Sequence, residues 1–326
     1  MSTSTPRPIV IITRRLPEAV ERHAAELFDA RLNPTDTPFT AGQLAEAMRS
    51  ADALLPTVSD AITGAVLSVS PRRAKIVANF GVGYNNIDVA TARSLGIVVT
   101  NTPDVLTDDT ADLAMTLLLM AARRAGEGER HIRAGDWTGW GPTHMLGTSV
   151  SGKTLGILGL GRIGRAVARR AAEGFGMRVI YFDPPVPIGE ARAYGASPRE
   201  SIEDVLRESD FVSLHMPASP ENRHLINAER LALMPGHAIL INTARGDIVD
   251  EAALAAALKS GVIRAAGLDV YEREPAVEPA LLTLENIVLL PHLGSATTET
   301  RVAMGERALS NLAAFFANAP PRDRVA

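Results

Sequence analysis

Thr154-Leu155-Gly156-Ile157-Leu158-Gly159-Leu160-Gly161-Arg162-Ile163-Gly164 passes from an apolar, strand-like run through a G-x-G-x-x-G turn into a helical pattern whose Ile163, Val167 and Ala171 share one face. As a bare pattern the glycines mean little; their context gives them weight. Strand, tight turn and helix in that order are what a dinucleotide site requires. The first glycine permits the turn, the second lets backbone approach a pyrophosphate, and the third allows the helix to pack closely. The helix start then favours anionic phosphates. The next strand-like run ends at Asp183, nineteen residues past Gly164, close to the roughly 20 expected of a carboxylate that binds the adenosine ribose hydroxyls. A carboxylate there repels a 2′-phosphate and favours NAD over NADP, with Arg162 and Arg192 as nearby cations of the opposite tendency.

Outward from this stretch, short β-branched runs alternate with helical patterns, the signature of βαβ units and a parallel sheet. Strands are predicted at 9–13, 53–55, 75–79 and 97–101, then at 154–158, 178–182, 211–216, 238–242, 266–270 and 287–290. Most are almost wholly apolar, as strands covered by helices on both faces must be. Ser201 with Asp204 reads as a helix start, and Gly261 as the stop of an Ala-rich helix beginning near Asp250. Residues 109–124 are apolar nearly all round, which predicts a deeply buried helix or one facing a partner subunit. The two groups of strands predict two α/β halves. The Gly-rich segment 135–152, with Trp137 and Trp140, is read as a loop or arm between them, and a further helical pattern runs from Thr297 to Asn318.

A chain of 326 residues is long enough for two full cores. Its net charge of −4, without a basic tract, gives phosphate-driven nucleic-acid binding little support. The absence of cysteine removes thiol nucleophiles, disulfides and metal–thiolate sites. Chemistry is left to His, carboxylates, Arg, hydroxyls or a bound cofactor. The longest apolar run, near 113–122, falls short of the ~18 residues of a membrane span, and residues 1–8 lack the apolar core of a secretion signal, so a cytoplasmic protein is expected.

Three residues stand just past strand ends in the second half: Arg245 in Asn242-Thr243-Ala244-Arg245-Gly246-Asp247, Glu274 in Asp269-Val270-Tyr271-Glu272-Arg273-Glu274, and His292 in Leu290-Pro291-His292-Leu293-Gly294. Ligands of open parallel sheets bind beyond the carboxyl ends of strands. Reducing a 2-keto acid needs a hydride and a proton. His292 is the side-chain type that titrates nearest neutrality, Glu274 can orient it and favour its charged form, and Arg245 offers a permanent, planar charge for a carboxylate or carbonyl. Each alone has a bland alternative as a surface or turn residue; the combination points to catalysis. His215, at another strand end, is expected to line the cofactor, while His23, His131, His144, His224 and His237 are read as surface or structural.

These segments, with Phe80-Gly81-Val82-Gly83-Tyr84-Asn85-Asn86-Ile87-Asp88 and Thr100-Asn101-Thr102-Pro103-Asp104-Val105-Leu106-Thr107, resemble the D-isomer-specific 2-hydroxyacid dehydrogenases, most closely the glyoxylate/hydroxypyruvate reductases. The resemblance spans nearly the whole chain. It implies two doubly wound, Rossmann-like α/β domains with a cleft between them. One, 1–101 plus 297–326, would bind substrate; the other, 102–296, would bind NAD and carry a dimerisation arm at about 109–150. It implies Arg245, Glu274 and His292 as catalytic, with His292 the proton donor, and Asp269 as the holder of the nicotinamide amide. Thr107 and Thr243 would line the cofactor, joined in the cofactor-facing set by Gly159, Gly161, Arg162, Ile163, Gly164, Asp183, His215, Pro217, Ala244 and Gly294. Val82 and Gly83 would bind the substrate carboxylate through backbone N–H groups, with Trp140 entering a partner's substrate pocket in a homodimer. Some reductases of this branch carry Arg or Ser where Asp183 stands, matching NADP, so NADH is the expected cofactor. A dehydrogenase of lactate or 3-phosphoglycerate is the alternative within the family. Arg72 and Arg73, the cation pair weighed for a phosphate, are read as the surface start of a strand. Outside enzymes, the same fold implies an NAD-sensing corepressor, which the intact Arg245, Glu274 and His292 disfavour.

Overall fold

The structure, a computed structural model, describes residues 6–326 apart from Pro185, Ile188, Glu190 and Arg192. The electrostatic role weighed for Arg192 therefore lies outside the described residues. The chain forms two compact units, one of residues up to 106 together with 296–326 and one of residues 107–295.

The first unit is a five-stranded parallel sheet built from β1 (Ile9–Ile12), β2 (Asp29–Arg31), β3 (Ala53–Leu55), β4 (Ile76–Ala78) and β5 (Val98–Thr100), in the order β2-β1-β3-β4-β5. Helices α1 (Glu18–Leu27), α2 (Ala41–Ser50), α3 (Gly64–Leu67) and α4 (Val89–Ser94) connect them. The long helix α11 (Thr298–Phe316) belongs to this unit, capped by Thr297 and burying Met304, Ala308, Leu309 and Leu312. Past it, residues near 323–326 run antiparallel along β5, with Val325 N–H donating to Val99 O at 2.8 Å. The chain stays in this unit until Leu106: Thr102 N–H donates to Gly81 O at 3.0 Å, and Arg307 faces Asp104.

The second unit opens with α5 (Thr107–Ala122) and α6 (Ala125–Ala134). It then alternates β6 (Thr154–Leu158), α7 (Arg162–Arg169), β7 (Arg178–Phe182), β8 (Ala196–Pro198), α8 (Ile202–Glu208), β9 (Phe211–Leu214), α9 (Ala228–Leu231), β10 (Ile239–Asn242), α10 (Glu251–Ser260), β11 (Ala265–Leu268) and β12 (Ile287–Leu289). Its seven parallel strands run β12-β11-β10-β9-β6-β7-β8. Alternate residues serve the two faces. Leu155, Ile157, Val179 and Ile241 pack with Leu117 and Leu118 of α5 and Val167 of α7, whereas Leu158, Ile180, Val212 and Leu240 pack with Val205, Leu206, Leu254 and Leu258 of α8 and α10. The order reverses between β6 and β9, so the loops at Gly159 and His215 adjoin, as at the ligand crevice of open α/β sheets.

Three differences from the sequence reading have physical causes. β2 and β8 were not expected: each is a three-residue edge strand, paired on one side, with exposed residues in place of an apolar run. Predicted strands overrun the paired residues by one or two, as at Thr13, Asn79, Asn101, His215 and Asp269, because the backbone stays extended for one more bond: Thr13, Asn79, His215 and Asp269 each donate the backbone N–H to the last residue of the neighbouring strand. The Gly-rich segment 135–152 does not separate the units. It lies within the second, after α6, and returns to α5 where Thr148 N–H donates to Ala122 O at 2.7 Å.

Candidate functional site

In the second unit, the turn from β6 to α7 depends on its glycines. Gly159 has φ +91°, and a Cβ there would stand 2.8 Å from the His215 carbonyl carbon. A Cβ on Gly164 would lie 2.2 Å from Gly159 O, so only glycine lets α7 seat on the turn, whereas Gly161 faces open space. Arg162 and Ile163 form the first turn of α7, with Ile163 packed on the core. Asp183 follows β7, and its Oδ2 accepts the Leu160 N–H at 2.7 Å, which ties the acidic residue to the glycine turn. Thr107 opens α5, and Pro217 is exposed past β9. His215 bonds Ser213 Oγ through Nε2 at 2.8 Å. Desolvation pushes its imidazole down to about 4, so it is neutral at neutral pH.

Arg245, Glu274 and His292 follow β10, β11 and β12 at the same end of the sheet. Past β10, Asn242 shapes the turn: its Oδ1 accepts Ala244 N–H at 2.9 Å and its Nδ2 donates to Arg245 O at 2.8 Å. Thr243 Oγ1 is buried with no hydrogen-bond partner. Desolvation lowers the Arg245 pKa against the opposing fields of Glu274 and Asp247.

The imidazole Nδ1 of His292 stands 2.8 Å from Glu274 Oε2. The other carboxylate oxygen accepts Tyr271 N–H at 3.0 Å. Burial works to raise the Glu274 pKa, but the His292 hydrogen bond and charge, the Tyr271 N–H and Arg245 outweigh it and hold the carboxyl below its ordinary value. His292 itself has φ +57°, a left-handed backbone that a β-carbon disfavours. Asp269, fully buried, holds it there. Its backbone O accepts His292 N–H at 2.9 Å, Oδ1 takes Leu293 N–H at 2.6 Å and Oδ2 takes Gly294 N–H at 2.8 Å. Desolvation raises the Asp269 pKa while these two N–H groups oppose the rise. Thr110 Oγ1 then donates to Gly294 O at 2.9 Å.

Two residues that the sequence reading passed over join these loops. Tyr271 OH donates to Leu290 O at 2.9 Å, linking the Glu274 loop to the start of the His292 loop. Gly246 packs against the Tyr271–Glu272 backbone so closely that a Cβ would stand 1.9 Å from Tyr271 C. The sequence marks each residue singly, a glycine directly after Arg245 and an aromatic in the loop past β11, but not that they meet.

Val82 and Gly83 lie in the first unit, on the turn past β4. Trp140 is on the stretch after α6 and is 84% exposed. Arg72 and Arg73 occupy the opposite, amino end of β4. Arg73 pairs with Asp52 at 2.8 Å, and Arg72 donates to Leu67 O and Leu95 O. Arg14, not singled out from the sequence, lies past β1, bonded to Asp36 and Ser59. Among the other histidines, His23 faces Glu306 at 2.6 Å and His237 faces Asp210 at 2.8 Å. No group of three or more potential metal ligands occurs among the described residues.

A family model described as D-isomer specific 2-hydroxyacid dehydrogenase, NAD binding domain, matches residues 115–294. The chain is 49% identical over 313 residues, 95% of its own length and 93% of the other's, to the glyoxylate reductase of Thermococcus kodakarensis. Its fold matches a solved D-isomer specific 2-hydroxyacid dehydrogenase from a Polaromonas species with TM-score 0.91 and 40% identity, covering 98% of this chain and 100% of the other. An NADPH-dependent glyoxylate/hydroxypyruvate reductase of Sinorhizobium meliloti, solved with NADP and malonate, matches with TM-score 0.88 and 36% identity over 98% of this chain and 97% of the other.

Proposed function

Because this chain belongs to the D-isomer specific 2-hydroxyacid dehydrogenases, in the branch of the glyoxylate reductases, we propose that it reduces small 2-keto acids, glyoxylate and hydroxypyruvate foremost, to D-2-hydroxy acids with NADH. The observation that carries this is the 2.8 Å contact between His292 Nδ1 and Glu274 Oε2 at the carboxyl end of a dinucleotide-type sheet.

The residues fit a nicotinamide dinucleotide. Open backbone at Gly161 suits a pyrophosphate, the orphaned Thr243 hydroxyl suits a polar cofactor group, and Asp183 suits ribose hydroxyls. Gly159, Gly164, Arg162, Ile163, Thr107, His215, Pro217, Ala244, Asp269 and Gly294 complete the set that would hold it. When bound, the nicotinamide supplies the hydride. Glu274, accepting at Nδ1, leaves Nε2 as the nitrogen from which His292 delivers a proton to the carbonyl oxygen. Arg245 polarises that carbonyl with a charge that persists through the working pH range. Val82 and Gly83 receive the substrate carboxylate on their backbone N–H groups. A carboxylate at Asp183 opposes a 2′-phosphate, which supports NADH over NADPH, although the Sinorhizobium relative is NADPH-dependent.

The working form we propose is a homodimer. Ile132, Trp137, Trp140 and Leu146 present exposed apolar surface within one short stretch, and Trp140 is the residue we assign to a partner's substrate pocket. No helix of the described residues is long and apolar enough to cross a membrane.

A steady-state panel of 2-keto acids with each cofactor tests this reading. Glyoxylate and hydroxypyruvate should lead with NADH, and Asp183→Ala should weaken NADH while admitting NADPH. Tight NADH binding with no oxidation by any 2-keto acid would overturn it.

A further inference from the structure

We infer that Asn101 and Asn79 are positioning residues that, together with the backbone N–H of Thr102, aim a row of three backbone N–H groups, those of Val82, Gly83 and Tyr84, at the substrate carboxylate. This rests on the reading of the protein as a reductase of 2-keto acids, and it adds both the third amide and the two side chains that orient the amides of Gly83 and Tyr84.

The argument begins with the geometry of a trans peptide, in which the C=O of one residue and the N–H of the next point in opposite directions across one plane. Fixing a carbonyl therefore fixes the following N–H. Three successive carbonyls of this turn are fixed. Gly81 O accepts the Thr102 N–H at 3.0 Å, Val82 O accepts Asn101 Nδ2 at 2.8 Å, and Gly83 O accepts Asn79 Nδ2 at 2.9 Å. Each partner N–H, of Val82, Gly83 and Tyr84, is thereby turned away from the donor that holds its own peptide. Successive N–H groups presented by a turn make an anion-binding feature that needs no cation.

The two asparagines are built for this role. Asn79 is fully buried and Asn101 is 8% exposed. Asn79 Oδ1 is held in turn by Asn86 Nδ2 at 3.2 Å, and that amide also donates to Thr57 O and Asp60 O at 3.1 Å. The orienting amides are thus themselves oriented. Gly81 completes the turn, because a Cβ there would stand 2.4 Å from Val58 Cγ1. An aspartate at either position would keep the shape but place an acceptor against a carbonyl, so the peptide plane would swing away.

Asn101→Asp and Asn101→Ala test this, the second removing the donor without adding charge. Thermal midpoint and NADH affinity are measured first, then kcat and KM for glyoxylate and for its neutral amide, glyoxylamide. The expected result is a KM for glyoxylate raised roughly 10–100-fold, the cost of misdirecting a hydrogen bond to a charged group, with a smaller change in kcat and NADH affinity retained. The preference for glyoxylate over glyoxylamide should narrow in step. A variant that folds and keeps the wild-type KM and preference overturns the positioning role. If wild-type protein itself does not prefer glyoxylate to glyoxylamide, the reading of a carboxylate substrate has failed instead.

Discussion

His292 is held in a conformation that costs about 1–2 kcal/mol for a residue with a β-carbon, and three hydrogen bonds accepted by one buried aspartate supply the restraint. The imidazole is therefore delivered to Glu274 by backbone architecture rather than by side-chain freedom. Replacing His292 by Ala should lower kcat by roughly 10²–10⁴-fold, the range of general acid catalysis, and leave NADH affinity intact in a fluorescence titration. Glu274→Gln keeps the shape and removes the charge, so it should lower kcat by less while altering KM little. Equal losses of NADH affinity in both variants would contradict these roles. Since Glu274 is held below the ordinary carboxylate value, it stays charged as the pH falls through the mildly acidic range.

At the scale of elements, the strands act as a jig for the loops that follow them. The sequence reading recovered the buried strands because they are apolar throughout, and it singles out Asp183, Arg245, Glu274 and His292 because each stands just past such a run. Its overruns are informative: Asn79, Asn101 and Asp269 lie beyond the last paired residue, where their side chains bond the loops. Edge strands β2 and β8 escaped because pairing on one side asks for no apolar pattern. Helix α6 escaped because it buries none of its residues and holds Gly126 and Gly128. Contacts between loops were illegible in principle, since nothing in the order of residues tells that Gly246 meets Tyr271. That contact gives a sharp expectation. Gly246→Ala must displace the Arg245 turn from the Glu274 loop, so turnover should fall severely and the thermal midpoint should drop, by differential scanning calorimetry. Wild-type turnover in this variant would show the approach to be dispensable.

For the whole molecule, His215 links stability to pH. Its imidazole refuses a proton until about 4 in the folded protein but accepts one near 6.5 when unfolded. Between these values the unfolded chain binds more protons, so stability rises with pH there. It is fully present above about 6.5 and is lost as the pH falls, by about 2 kcal/mol at pH 5. Urea midpoints at pH 7.5 and pH 5 should show this loss in wild-type protein and a smaller one in His215→Asn. Equal slopes would remove His215 as the cause.

The first unit is interrupted by the second, and this has a consequence for how the protein is made. When a ribosome has synthesised residues up to 106, helix α11 and the strand-like tail along β5 do not yet exist, although Met304, Leu309 and Leu312 are part of that unit's buried core. At about 5–20 residues per second, the nascent unit waits roughly 10–40 s for them. The inserted unit is contiguous in the chain and faces no such wait. It is the one able to fold first during translation, so the protein's maturation runs from its middle outward.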